Sequence, residues 1–285
     1  MSIRLAAPLA LWLAACGATG HPIDGDPASM RSPSAQGSSA QGSSAQGPPA
    51  LGPSAPEVPA SVLMVGNSFT FWNGGLWRPL AAALGAAGEA ATVEPCVQGG
   101  ASLEVHWNRE EVLSRIDAGE AEVVVLQGDV PEASLASFEA HAGLLVERVR
   151  AAGGRPVLFM TWDYERLGWL SLDAIVDAHR GVSLTHAVQV VPVGEAFGVA
   201  RRERPDLDLL ASDREHPSQA GSYLALVMLA LSLGVEDVAA IEPPRRWRRL
   251  SPEDAAYLRG LGERVCAQEA ARVRGLTRSR AFCPN

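Results

Sequence analysis

Hydrophobic residues along this chain cluster in short runs, and longer amphipathic or alanine-rich stretches lie between the runs. Five of the runs are nearly continuous in apolar residues and rich in valine. Runs of this kind indicate strands buried on both faces, and the amphipathic stretches indicate helices. The predicted strands cover 62–65, 91–97, 122–127, 156–162 and 188–194, and the predicted helices lie near 75–88, 108–118, 134–152, 171–186, 195–203, 218–234 and 251–275.

The alternation of strands and helices from residue 61 onwards indicates the fold class. Strands separated by helices form parallel sheets whose two faces are both covered. We therefore predict one α/β domain over 61–285, with three α/β/α layers, a five-stranded parallel sheet and a C-terminal helix. In doubly wound sheets, ligands bind beyond the carboxyl ends of the strands. Candidate catalytic residues are therefore expected directly after the predicted strands.

The first 16 residues, MSIRLAAPLALWLAAC, have the layout of a secretory signal. Arg4 supplies an early positive charge, and the apolar stretch 5–15 is too short to span a bilayer. The closing Leu-Ala-Ala-Cys at 13–16 resembles a bacterial lipobox. It predicts lipidation of Cys16 and attachment to the cell envelope, on the periplasmic side or at the cell surface. The alternative is an ordinary signal peptide that is cleaved a few residues later.

Residues 17–60 have no hydrophobic periodicity, and they contain Ser-Ala-Gln-Gly repeats that start at Ser34, Ser39 and Ser44. Ser, Gly, Ala, Gln and Pro dominate the segment, so it cannot bury enough apolar surface to fold by itself. We predict that it is a flexible tether between the lipid anchor and the folded domain.

The charge balance argues against nucleic acid as a partner. The formal net charge is -8, and the 24 basic residues are all arginine. The densest basic cluster is the segment 245–249, Arg-Arg-Trp-Arg-Arg, which is small for a nucleic-acid-binding surface. Such a cluster is most often a solvated face or a domain edge, and a phosphate- or lipid-binding role is the alternative.

Three cysteines remain after Cys16, an odd number for an exported protein. Cys266 and Cys283 lie close together near the C-terminus, and a disulfide between them is predicted. Cys96 would then be a buried free thiol at the end of a strand. The spacing of cysteine and histidine indicates no metal site, and we predict no cofactor.

Two segments carry candidate catalytic residues. Ser68 directly follows the first predicted strand, where Gly66 permits a tight turn. A serine at this position is either a helix cap or a nucleophile. Asp213 and His216 lie three residues apart on a polar loop before a late helix. A carboxylate there can accept the imidazole Nδ1 proton and leave Nε2 free to act as a base. Taken alone, this pair could equally be a loop histidine with a nearby aspartate.

Together, Gly-Asn-Ser-Phe-Thr at 66–70 and the Asp-x-x-His-Pro-Ser block at 213–218 resemble the first and last blocks of the SGNH (GDSL-like) esterase family, in its bacterial branch with GNSFT. The resemblance covers about residues 61–235. It implies a flavodoxin-like SGNH hydrolase fold and a serine hydrolase without metal or cofactor. Further segments that fit this branch are Gly99-Gly100-Ala101-Ser102-Leu103, His106-Trp107, Val-Val-Val-Leu-Gln at 123–127, Phe-Met-Thr-Trp at 159–162 and Pro-Val-Gly-Glu-Ala-Phe at 192–197.

The resemblance implies a role for each matching residue. Ser68 would be the nucleophile, His216 the general base and later the general acid, and Asp213 the group that orients His216. The family's oxyanion hole uses the N–H of the nucleophile, a glycine N–H after the second strand and an asparagine side chain after the third. The first two correspond to Ser68 and Gly100, with Gly99 as the neighbouring alternative.

The segment after the third predicted strand departs from the family pattern, because it lacks the Gly-x-Asn-Asp motif. Gln127 is an amide donor of suitable type and is the candidate third oxyanion donor. Asp129 at that position would repel an oxyanion unless it were protonated or turned away. The departure puts the third donor in doubt.

Three further residues are candidates for lining a substrate pocket: Asn67, His106 and Trp162. They lie beside the nucleophile or near predicted strand ends. For His106 and Trp162, packed structural roles are the alternatives. Phe69 and Trp72 are expected to be packing residues.

The sequence favours a lipid-anchored extracytoplasmic serine esterase. Its expected substrates are acyl esters, foremost acetyl esters on carbohydrate, whether small molecules or glycans. A lipase or an acyltransferase of the same fold uses the same chemistry. A different class of protein, a surface-tethered glycan-binding module that has lost activity, is favoured by the missing asparagine. A structural envelope lipoprotein would give no reason for Ser68, Asp213 and His216 to occur together.

Overall fold

A five-stranded, all-parallel sheet lies at the centre of the structure, a computed structural model that describes residues 57–131 and 133–282, with side chains up to residue 275. The strand order is β2-β1-β3-β4-β5, which is the order of flavodoxin-like sheets. The predicted five-stranded parallel sheet is therefore confirmed. The strands are β1 (Ser61–Gly66), β2 (Thr92–Val97), β3 (Val123–Leu126), β4 (Arg155–Phe159) and β5 (Gln189–Val191).

Helices cover both faces of this sheet. A short helix and a 3-10 turn (Trp72–Gly74) follow β1, and a second 3-10 turn (Val238–Ala240) precedes the last helix. The helices are α1 (Ser68–Phe71), α2 (Trp77–Ala87), α3 (Leu103–Trp107), α4 (Glu110–Asp117), α5 (Leu135–Ala151), α6 (Leu172–His186), α7 (Val193–Glu203), α8 (Gln219–Ser232) and α9 (Pro252–Phe282).

The alternation of side chains along β1 shows why two cores form. Val62 and Met64 point to one face, where they join a cluster built with α2, α7, α8 and α9. Leu63 and Val65 point to the other face, where they join a cluster with α3, α4, α5 and α6. Because a strand turns successive side chains to opposite faces, a continuous apolar run supplies both cores. The predicted three-layer architecture is confirmed.

Helix α8 is buried almost along its whole length. Residues 220–230 are all inaccessible or nearly so, because α9 packs over the side that a surface helix would expose. Gly262 of α9 allows this close approach, since a Cβ there would lie 2.5 Å from Val227 Cγ1. The C-terminal helix thus covers an apolar helix rather than the sheet itself.

Several element bounds differ from the sequence prediction. Strands β4 and β5 end earlier than predicted, and α7 begins at Val193 directly after the non-helical Pro192. The short helices α1 and α3 were not predicted, because each has too few residues to show a helical period. The folded domain also starts slightly before residue 61, since Thr92 N–H donates to Ala60 O at 2.8 Å.

Some sequence predictions fall on residues that the structure does not describe. The signal segment with Cys16 and most of the tether belong to these, as does Cys283, the predicted disulfide partner of Cys266. Cys96 is buried in β2, as predicted. Within the described ranges, none of the helices is both long and apolar enough to cross a bilayer.

Two glycines offer a matched test of the packing between β4 and α7. A Cβ at Gly194 would lie 2.1 Å from Thr161 O, whereas at Gly181 in α6 it would meet nothing within 4 Å. We expect Gly194→Ala to lower the free energy of unfolding by about 3 kcal/mol through overpacking against the backbone. Gly181→Ala should raise it by about 0.5–1 kcal/mol, because alanine restricts the unfolded chain. Urea denaturation of both variants tests the packing, and equal shifts in the same direction would contradict it.

Candidate active site

The turn at the end of β1 is held by a buried side-chain amide. Asn67 N–H donates to Gln127 Oε1 at 2.8 Å, across the neighbouring strand β3. A Cβ at Gly66 would lie 2.8 Å from the same oxygen and 3.0 Å from Thr70, so glycine is required there. The Asn67 side chain accepts Phe69 N–H at 3.0 Å and thereby caps α1. The cap of α1 is therefore Asn67, and the Ser68 hydroxyl is left for another contact.

That contact is with His216, which lies 148 residues further along the chain. His216 Nε2 is 2.8 Å from Ser68 Oγ, and His216 Nδ1 is 2.8 Å from Asp213 Oδ2. The three residues predicted from the sequence are thus adjacent, in the linear order serine, histidine, aspartate. This is the arrangement in which an imidazole can remove a proton from a hydroxyl.

Hydrogen bonds stabilise the ionised form of the Asp213 carboxylate. Its second oxygen, Oδ1, accepts the N–H groups of Glu215 at 3.1 Å and of His216 at 3.0 Å. Partial burial opposes ionisation, but the hydrogen bonds from the His216 ring and from these two amides lower the pKa of Asp213 below its ordinary value of 3.8. Because the folded-state pKa is depressed, the ionised carboxylate stabilises the fold above that ordinary value. This contribution is lost as the pH falls through the folded-state pKa.

Two aromatic rings hold the imidazole in place. Trp72 stacks on His216 with ring centroids 3.9 Å apart and an interplanar angle of 15°. Phe69 meets the same ring edge-on at 5.7 Å. Trp72 was expected only to pack, and its contact with the histidine was missed. No sequence signal distinguishes a tryptophan that packs on a core from one that packs on a catalytic ring.

Two backbone amides that follow neighbouring strands, those of Ser68 after β1 and Gly100 after β2, are the candidate oxyanion donors. Gly100 follows β2 and has a φ of 65°, which favours glycine, and the direction of its missing Cβ is open. Among the described residues, neither the Ser68 N–H nor the Gly100 N–H donates a hydrogen bond. The neighbouring Gly99 lies against Phe71, which a Cβ would approach to 3.8 Å.

Gln127 is not positioned as the third oxyanion donor. Its Oε1 accepts from Asn67 N–H, and its Nε2 donates to Gly128 O at 2.8 Å. The orientation of the amide follows from its partners, since a backbone N–H must face the oxygen and a carbonyl must face the nitrogen. The side chain is also fully buried. The prediction for Gln127 is therefore wrong in this conformation, and its role is to hold the turn before Ser68.

The three predicted pocket residues are also buried, and none of them lines an open surface. Asn67, His106 and Trp162 have no exposed area. His106 Nε2 is 3.1 Å from Gly66 O, and burial, aided by the nearby Arg109 charge, lowers its pKa to about 4. The ring is therefore neutral near pH 7 and donates through Nε2. Trp162 donates Nε1–H to Glu215 O at 3.0 Å, which fixes the loop before His216. The packed alternatives for His106 and Trp162 are the correct ones.

Asp129, whose carboxylate was expected to repel an oxyanion unless it turned away, is held by a hydrogen bond. It is 3% exposed, and its Oδ1 accepts from the Tyr164 hydroxyl. Among the described residues, no group of three or more histidine, cysteine, aspartate or glutamate side chains could hold a metal ion.

A second connection between the serine and histidine segments was not foreseen. Asn73 Nδ2 donates to Pro217 O and Ser218 O at 3.0 Å each, and to Ser222 Oγ at 2.8 Å. Asn73 has a φ of 54°, a left-handed conformation that asparagine tolerates. The amide thus joins the turn that follows Ser68 to the residues that follow His216.

The basic cluster at 245–249 holds the same turn. The Arg246 guanidinium donates to Asn73 O at 2.9 Å, Gly74 O at 3.2 Å and Gly75 O at 3.0 Å, and Trp247 Nε1–H donates to Asn73 O at 3.0 Å. Two members of the cluster therefore have a structural role at a turn. The sequence showed the cluster but not its partners, which are backbone carbonyls about 170 residues earlier in the chain.

Arginine substitutions in this cluster should separate the turn contact from general charge effects. Arg246→Ala removes the cation that donates to three carbonyls, and we expect the free energy of unfolding to fall by about 1–2 kcal/mol. Arg248→Ala, an exposed neighbour, should change it by no more than about 0.5 kcal/mol. Denaturant melts of the two variants provide the measurement. Equal losses would mean that the contact to the turn contributes nothing specific.

Comparison with known proteins gives matches among solved structures. No protein-family model matches the sequence, and no curated protein was found to match it. A protein from Slackia heliotrinireducens, described as an SGNH hydrolase, is 29% identical, with a TM-score of 0.52 over 61% of this chain and 98% of its own.

Two more distant structures have the same fold. A lipase/acylhydrolase from Enterococcus faecalis is 17% identical, with a TM-score of 0.52 over 65% of this chain and 98% of its own. A mutant of an acetyl-xylooligosaccharide esterase from Geobacillus is 18% identical, with a TM-score of 0.51 over 63% of this chain and 97% of its own. At these identities the two matches support the fold. The chain therefore has the fold of the SGNH/GDSL-like hydrolases, and the Slackia protein together with the Ser68–His216 contact supports a serine ester hydrolase of that family.

Proposed function

We propose that this protein is a lipid-anchored extracytoplasmic esterase that removes acetyl groups from carbohydrate by an acyl-enzyme mechanism. The observation that carries the chemistry is the pair of 2.8 Å contacts that joins Ser68 Oγ to His216 and His216 to Asp213. A hydroxyl is a weak nucleophile at neutral pH unless a base removes its proton during attack. In this proposal His216 is that base and Asp213 is the carboxylate that orients it, which the two short contacts support.

The reaction proceeds in two halves. Ser68 Oγ attacks the ester carbonyl carbon while His216 Nε2 takes the hydroxyl proton. The tetrahedral intermediate then collapses, the bond to the alcohol oxygen breaks, and His216 returns the proton to the departing alcohol. A water molecule then attacks the acyl-serine while His216 takes its proton. As this second intermediate collapses, the bond to Ser68 Oγ breaks, His216 returns the proton to that oxygen, and the acid is released. Asp213 stabilises the imidazolium that forms in each half.

The oxyanion of each intermediate is bound by two backbone donors, the N–H groups of Ser68 and Gly100. They follow the carboxyl ends of two neighbouring strands, β1 and β2. Donors aimed at the developing charge act chiefly in the transition state, where one such donor is worth about 10²–10³ in rate. Gln127 is occupied elsewhere, so this mechanism uses no side-chain amide.

The substrate class is supported by the descriptions of two structural neighbours and by the limited space beside His216. One structural neighbour is described as an acetyl-xylooligosaccharide esterase and another as an acetyl xylan esterase. The partly exposed ring of Trp72 stacks on His216 and takes up space beside the base, which favours a small acyl group over a long one. Membrane attachment is supported by the Leu-Ala-Ala-Cys segment at 13–16 and by the tether that follows it.

An inactive glycan-binding module is the second candidate. It is favoured by one observation, the engagement of Gln127 that leaves the site without a third oxyanion donor. In that case the Ser68–His216 contact would persist without turnover, so activity measurements separate the two candidates.

Serine-directed labelling tests the esterase. We expect a fluorophosphonate probe to label the wild-type protein, and 4-nitrophenyl acetate to be hydrolysed, whereas Ser68→Ala abolishes both. Asp213→Asn should lower kcat by about 10⁴, because the imidazole loses its orienting carboxylate. Ser212→Ala, an exposed serine on the same loop, is the control and should retain activity. A folded wild type that neither labels nor exceeds Ser68→Ala in hydrolysis would favour the inactive module.

Membrane attachment is tested through Cys16. In a bacterial host that processes lipoproteins, the wild-type chain should incorporate labelled palmitate and sediment with the membrane fraction. Cys16→Ala should take up no label and should appear in the soluble or retained precursor fraction. Equal labelling of the two proteins, or release of the wild type in soluble form, would leave only an ordinary signal peptide.

A further inference from the structure

A groove of about 350 Å³ opens beside Gly100, outside the residues that form the Ser68–His216–Asp213 contacts. It lies where the chain leaves β2 and β3, next to the first turns of α3 and α5. Its volume is at the lower end of the range for small-molecule sites. The groove is lined by Gly100, Ser102, Glu104, Asp129, Ala133, Ser134 and Ser137.

The serines of this groove are oriented by the helices that they begin. Ser102 caps α3 and accepts Val105 N–H at 3.3 Å, and Ser134 caps α5 and accepts Ser137 N–H at 3.0 Å. A hydroxyl that accepts in this way keeps its own hydrogen for donation. The caps therefore hold two O–H donors at fixed positions on the groove wall.

The acceptors of the groove are two carboxylates. Ser137 Oγ donates to Glu104 Oε2 at 2.6 Å, which holds the Glu104 side chain across the space between α3 and α5. Asp129 is 3% exposed and is anchored by the Tyr164 hydroxyl. The exposed Glu104 carboxylate has lone pairs beyond its contact with Ser137, so it can accept further hydrogen bonds.

The polar character of this lining favours one chemical class of ligand. Among the described lining residues, Ala133 is the one apolar side chain, so an acyl chain would leave the polar groups without partners. The same described lining contains no arginine or histidine, and its two carboxylates repel an anion. A sugar ring presents several hydroxyls that donate to carboxylates and accept from serines. The lining therefore matches an uncharged polyol better than a lipid or an anionic ligand.

We infer that this groove is the subsite for the sugar on the alcohol side of the ester, and that the sugar carries no negative charge. The location in the reaction rests on the proposed function, because Gly100 is then both groove wall and oxyanion donor. When the carbonyl oxygen is bound at the Gly100 N–H, the groups attached to the carbonyl carbon lie next to the groove. An acetyl methyl is too small to need it, so the alcohol part occupies it.

Calorimetric titration tests the groove without relying on catalysis. Xylotriose, cellotriose and N-acetylated chitotriose are the uncharged probes, and a trigalacturonic acid and a chitosan trisaccharide are the charged ones. We expect at least one uncharged trisaccharide to bind the wild-type chain and Ser68→Ala alike. Glu104→Gln and Ser137→Ala should each raise its Kd at least fivefold. Glu139→Gln, an exposed residue of the same helix α5 as Ser137, should leave Kd unchanged.

The outcomes of these experiments distinguish failure of the sugar-subsite proposal from failure of the proposed ester hydrolysis. Absence of binding by all uncharged probes, tighter binding of trigalacturonic acid than of the uncharged probes, or unchanged Kd in both groove variants would overturn the groove proposal. If the esterase assays fail while Glu104→Gln still weakens trisaccharide binding, the groove stands and the proposed hydrolysis is wrong. Where both hold, the ratio of kcat/KM for an acetylated xylo-oligosaccharide to that for 4-nitrophenyl acetate should fall at least fivefold in Glu104→Gln. Thermal unfolding of each variant verifies that it is folded.

Discussion

The hydrogen bond from Asn67 N–H to Gln127 Oε1 is the constraint on which the site depends. It joins the ends of β1 and β3, the two strands between which the order of a flavodoxin-like sheet reverses. Gly66 leaves just enough space for the amide, and its carbonyl accepts from Gln98 N–H and from the buried, neutral His106. The pairing of the Asn67 N–H and the Gly66 carbonyl fixes the direction in which the chain leaves the sheet. Ser68 is the next residue.

The histidine side of the site is fixed by a different set of contacts, and none of them comes from the sheet. Asn73 connects the turn after Ser68 to the segment after His216, and Arg246 with Trp247 hold Asn73 from the far side. A hydrogen bond of 2.8 Å between residues 148 positions apart therefore depends on the region just before α9 as well as on β1. The segment just before α9, which includes Arg246 and Trp247, therefore contributes to the geometry of the site through Asn73.

The fold was predictable because buried parallel strands leave continuous apolar runs, and Ser68, Asp213 and His216 were predictable because short motifs carry them. The roles of Gln127 and His106 were not, since the direction of a side chain at a strand end depends on which backbone groups it meets after folding. The contact of Arg246 with Asn73 was equally hidden. Its acceptors are backbone carbonyls, which every residue has, so no residue type marks them in the sequence.

The structural use of Gln127 has a consequence for rate. In the proposed mechanism the oxyanion has two backbone donors rather than three, and one donor is worth about 10²–10³ in rate, or about 2.7–4 kcal/mol. Binding of the sugar in the groove beside Gly100 cannot recover this in kcat if it is equally strong in the ground state and the transition state. Sugar binding in the groove can instead raise kcat/KM. An esterase built in this way gains efficiency by holding a specific sugar ester next to Ser68, and it acts slowly on small esters that leave the groove empty.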